Sequence, residues 1–111
     1  MSKEPMNKDR EQILKLIREL KRNILPDEKL ILFGSQARKE AHEESDWDLL
    51  ILLNKPALSP DDYDHYAYPF VELGWKLGEY FSTKLYTETD WKRRSPSLFY
   101  KNVQTDGIEI V

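Results

Sequence analysis

The run from Trp47 to Leu53 constrains the fold most. After Asp48 it is unbroken leucine and isoleucine, without the polar alternation of a strand that has one wet face. Such a run reads as a central strand covered on both faces, which points to an α/β layered fold. In a domain this small, the second cover is expected to come partly from another chain. The strand opens on Asp46 and Asp48. Two residues apart on a strand, both carboxylates are expected on one face, with Cα atoms ~6–7 Å apart.

The rest of the chain fits around that strand. Ile13, Leu16, Ile17 and Leu20 fall at helical spacing, predicting an amphipathic helix over residues 7–22 with Asn7 as its N-cap. Pro26-Asp27 breaks it, and Leu30 to Phe33 reads as a short buried strand. Gly34 ends that strand, and Ser35 is placed to cap a short helix over residues 36–39. A polar loop follows. The link back to Trp47 is short, so the first two strands should be antiparallel and bring Gly34-Ser35 and Asp46/Asp48 to one end of the sheet.

Beyond the central strand, Ser59 can cap a helix that begins at Pro60, and Pro69 should kink or restart it. Residues 80–87 read as a third strand. Thr87 or Thr89 can cap a helix near Trp91, a further helix covers residues 97–104, and Gly107 precedes a terminal strand at residues 108–110. The architecture is therefore α/β, a small mixed sheet flanked by helices. Residues 1–6 read as a flexible tail and residues 7–111 as a single domain.

Composition removes several function classes. The chain has 111 residues, no cysteine and a net charge of −3. Zinc–thiolate sites, disulfides and cysteine nucleophiles are excluded. An acidic chain is a poor nucleic-acid binder. No apolar run approaches the ~18 residues of a membrane span, and the charged N-terminus has no signal-peptide core. A cytoplasmic location is the expectation.

The residues at the shared end of the sheet suit a triphosphate and a divalent metal. Carboxylate oxygens such as those of Asp46 and Asp48 suit Mg²⁺, which keeps waters and takes phosphates as further ligands. Gly34 lets backbone approach a phosphate without a Cβ in the way. Ser35 adds a hydroxyl at a helix start, and Arg38 can turn positive charge toward the phosphates. His42 and His65 lack partners at metal-ligand spacing and read as solvated positions. Asp61, Asp62 and Asp64 read as a helix N-terminus. Tyr63, Tyr66, Tyr68, Phe70, Trp75 and Tyr80 are expected to be mostly core, with part of the set available as a partner surface.

Gly34-Ser35 followed by Asp46-Trp47-Asp48-Leu49, flanked by Phe33, Ala37, Arg38 and Ser45, resembles the signature of minimal nucleotidyltransferases of the DNA polymerase β superfamily. Tyr86-Thr87, Asp90-Trp91, residues 99–103 and Gly107-Ile108 extend the resemblance over about residues 9–111. It implies the polymerase β-like fold and transfer of a nucleotide from ATP to a hydroxyl, with Asp46 and Asp48 holding Mg²⁺. It implies Gly34 and Ser35 at the β/γ-phosphates. It also implies a helical HEPN-type protein as partner, in a toxin–antitoxin hetero-oligomer. One position departs from the family pattern. The third carboxylate of active members aligns with Ser82, whose hydroxyl is neutral. Glu79, Glu72, Asp62 and Asp64 are the nearby acids that could replace it. The departure opens an alternative, a weak or inactive nucleotidyltransferase fold that acts as a partner-binding module.

Overall fold

The computed structural model describes residues 10–38 and 46–111. Helix α1 (Arg10–Ile24) leads to strand β1 (Lys29–Phe33) and the short helix α2 (Ser35–Arg38). Strand β2 (Trp47–Leu53) follows. One wide π-type turn (Tyr63–Ala67) then runs into helix α3 (Tyr68–Leu77). Strand β3 (Phe81–Thr87), helices α4 (Glu88–Arg93) and α5 (Leu98–Asp106), and strand β4 (Ile108–Ile110) complete the fold. The expected N-cap Asn7, the tail 1–6, His42 and Lys39 lie outside the described residues.

Local chemistry accounts for most element ends. Pro69 sits in the first turn of α3, where a missing N–H is harmless. It restarts the helix after the π-type turn, in which the Tyr68 N–H reaches back to the Tyr63 carbonyl. Gly78 ends α3 in the left-handed conformation at φ 73°. Of the two candidate threonines, Thr87 caps α4, its hydroxyl accepting from the Asp90 N–H at 3.0 Å. Ser97 caps α5 in the same way through the Tyr100 N–H at 3.1 Å.

The sheet order is β3-β2-β1-β4. β1 is antiparallel to both β2 and β4, whereas β2 and β3 are parallel. The sheet is mixed, as the short β1–β2 link requires. One face carries Leu30, Leu32, Leu49, Ile51, Leu53 and Phe81, and packs against Ile13 and Ile17 of α1 and Phe70 and Leu77 of α3. The other face carries Leu50 and Leu52, which pack against Trp91 and Val103 with Phe99 and Tyr100 around them.

Two expectations are corrected here. The second face of β2 is covered by the chain's own α4 and α5, not by another chain, and six of the strand's seven positions are buried. The aromatic set is also less buried than expected. Only Phe70 is fully buried, and Tyr66 is partly so. Tyr63, Tyr68, Trp75 and Tyr80 are exposed, Trp75 by 59%. Helix α3 turns Phe70, Gly74 and Leu77 inward. Tyr68 and Trp75, seven residues apart, share its outer side and meet edge to face at 5.9 Å.

Candidate functional site

The first two strands meet at the end where β1 finishes and β2 begins, with Phe33 opposite Asp48. Gly34 makes the exit turn with φ 77°, a conformation that strongly favours glycine. Its carbonyl accepts from the N–H groups of Ala37 at 3.1 Å and Arg38 at 3.2 Å. Ser35 is therefore the first residue of α2, and Gly34 holds the capping place that Ser35 was expected to fill. A Cβ on Gly34 would fall on Asp48 Oδ2 and lie 3.2 Å from its Cγ. The turn and the carboxylate are thus in direct contact.

That contact yields a prediction. Gly34→Ala is expected to cost about 1–2 kcal/mol for the left-handed conformation and to push the Asp48 carboxylate aside. Thermal unfolding should show the modest loss, and binding of a nucleotide analogue should fall much further. An alanine variant with wild-type binding would contradict the close fit.

Asp46 lies one residue ahead of β2, not within it, and is exposed. Asp48 is half-buried at the second strand position. Burial pushes the Asp48 carboxyl above its ordinary value, and the negative charge of Asp46 pushes it further. Lys84 and Arg38 act in the opposite direction. A carboxylate crowded in this way gains from a divalent cation, so the donor set fits one. Protonation does the same work at low pH. Because its folded value is raised, Asp48 contributes stability below the ordinary carboxylate value and loses it as pH rises through the raised value. Asp48→Asn is therefore expected to raise the Tm of the ligand-free protein at neutral pH, with the gain vanishing toward acid. A lowered Tm at neutral pH would contradict this.

Ser82 sits beside Asp48 in the parallel β2–β3 register. The four alternative acids are engaged or placed elsewhere. Glu79 Oε1 accepts from Trp47 Nε1 at 3.2 Å, and Trp47 points to the opposite face from Asp48. Asp62 is held by Lys55 Nζ at 2.9 Å and by the Ser59 N–H at 2.7 Å. The Lys55 bond, with help from Ser59, draws its carboxyl below the ordinary value. Glu72 and Asp64 are exposed on α3 and the turn before it. Among the described residues, no group of three His, Cys, Asp or Glu side chains could hold a metal ion. His65 is exposed, as expected, with Nδ1 3.2 Å from the Asp61 carbonyl.

Arg38 reaches Asp106 at the end of α5, Nη1 to Oδ2 at 3.5 Å, while its charge acts on Asp48. Asp106 and Lys84 were missed in the sequence. Lys84 shares a face with Ser82 by strand alternation, so the register with Asp48 would have revealed it. A cavity of about 280 Å³ opens at the other end of the same sheet face, between Lys29, Leu52, Trp91, Tyr100 and Glu109. It includes neither aspartate.

The Gly34 turn, Asp46 and Asp48 meet at one end of the sheet, and comparison with known proteins places the chain in a family. The nucleotidyltransferase domain family matches residues 13–97. The chain belongs to that family. No curated protein matches it. Among solved structures, a toxin–antitoxin complex with AMP-PNP is similar at 21% identity and TM-score 0.61, over 88% of this chain and 72% of that one. A mutant of the toxin–antitoxin MntA-HpeT is similar at 18% identity and TM-score 0.58, over 88% and 71%. A protein described as a nucleotidyltransferase from Sulfolobus solfataricus is similar at 15% identity and TM-score 0.52, over 97% and 87%. At these identities the structures establish a shared fold. No helix among the described residues is long and apolar enough to cross a membrane.

Proposed function

We propose that the chain is an antitoxin that transfers AMP from ATP to a hydroxyl on a partner toxin of the HEPN type, with Mg²⁺ as the required metal. The observation that carries the reading is the contact between the Gly34 turn and the Asp48 carboxylate, with Asp46 beside it. Family membership supports nucleotidyl transfer as the reaction class. The toxin–antitoxin structures, one with AMP-PNP, support the partner and the nucleotide. The exposed Tyr63, Tyr68, Trp75 and Tyr80 offer aromatic surface for such a partner.

In the reaction, the acceptor oxygen attacks the α-phosphorus, the bond to the β-phosphate bridge breaks, and pyrophosphate leaves. Gly34 lets the phosphates approach the backbone, and the Ser35 hydroxyl donates to them. Arg38 supplies positive charge from one turn further along. Asp46 and Asp48 would hold Mg²⁺, which when bound neutralises phosphate charge and orients the leaving group. Ser82 offers a hydroxyl and no charge beside Asp48. As a neutral hydroxyl, Ser82 is a poor base for the acceptor proton, which solvent or a group on the partner can take.

That neutral residue also favours a second reading, a module that binds nucleotide and toxin without turnover. Calorimetry with AMP-PNP tests the part common to both. Mg²⁺-dependent binding is expected in the wild type, and its loss is expected when Asp46→Ala and Asp48→Ala are combined. Unchanged affinity in that folded double variant would rule the metal site out.

A further inference from the structure

We propose that this site takes one divalent cation with its nucleotide, and that the Lys84 ammonium supplies the second positive charge beside Asp48. The inference rests on the metal-site reading above. In the parallel register Ser82 flanks Asp48, and Lys84 lies two residues further along β3 on the same face. Adjacent strands are ~4.8 Å apart and same-face neighbours ~6–7 Å apart. A lysine stem spans that reach, and Lys84 is exposed, so its head is free to move over the site. Its charge already acts on the Asp48 carboxylate.

The charge balance points the same way. Two cations held ~3.5–4 Å apart need several anionic ligands between and around them. Here the described residues bring Asp46 and Asp48 together, and the neighbouring strand offers a hydroxyl followed by an ammonium. Among the described residues, a second divalent ion near Ser82 would gain no carboxylate from β3 and would face Lys84. With one ion bound, Lys84 is left to meet the remaining phosphate charge beside Asp48.

The test counts Mn²⁺ by electron paramagnetic resonance in the full chain saturated with AMP-PNP. One Asp46- and Asp48-dependent Mn²⁺ per bound nucleotide is expected. Ser82→Asp is expected to add a second. Lys84→Met should weaken AMP-PNP binding at saturating Mn²⁺ by about tenfold, the scale of one hydrogen bond to a charged group, and Lys84→Arg should retain it. Two Mn²⁺ ions in the wild type, or an unaltered affinity in Lys84→Met, would overturn the proposal and leave the metal site standing. No Mn²⁺ dependent on the two aspartates would overturn the metal site and this proposal with it. Should Ser82→Asp fail to fold, the wild-type count and the Lys84 pair decide the matter.

Discussion

Asp48→Ala is expected to lower AMP transfer by about 10²–10³-fold or more, the scale for removing one preorganised charge-stabilising group. Asp48 is the carboxylate that the Gly34 turn touches, and it is half-buried where Asp46 is exposed. Losing it removes the better-fixed half of the donor pair. The fold should survive, because Asp48 is a charge that its own site crowds. The expected result is a variant with a Tm at least equal to that of the wild type and transfer near the detection limit. Substantial transfer by Asp48→Ala would mean that the chemistry lies elsewhere.

Trp91→Ala is expected to cost about 3–5 kcal/mol, the range for deleting a large buried aromatic. Trp91 is 4% exposed. Its ring meets Tyr86 at 5.5 Å, Phe99 at 5.4 Å and Tyr100 at 4.9 Å. It joins α4 and α5 to the β2–β3 face, at the centre of an aromatic cluster with Tyr86, Phe99 and Tyr100. Domains hold about 5–15 kcal/mol in all, so the loss is a large share of stability. It should also loosen the end of α5, where Asp106 meets Arg38. Urea unfolding should show the shift in midpoint. A cost under about 1 kcal/mol would mean that the cavity collapses or that the layer contributes little.

Much of this arrangement could be read from local signals. The unbroken apolar run of β2 required cover on both faces. The short link from Gly34 to Trp47 required an antiparallel return, and Ser97 announced α5 three residues ahead of its bonded N–H. What could not be read depends on register and on helix rotation. The resemblance aligns Ser82 with the Asp46–Asp48 site, but nothing local says that Lys84 follows it on that face of β3. Nothing local says that Asp106 would meet Arg38 across the fold. The second cover was missed because α4 and α5 are too short to announce an apolar face. The aromatics of α3 were misplaced because their spacing permits either side of the helix, and packing against α1 and Phe81 decides which side turns inward.

The most direct test of the central claim is transfer itself. The chain would be incubated with α-labelled ATP and Mg²⁺, with and without the product of the neighbouring gene, and the proteins weighed intact. The account predicts one or more AMP units on the partner, absent with Asp48→Ala. A stable complex with no AMP gained under any condition would contradict it and leave a binding module that has kept the fold without the reaction.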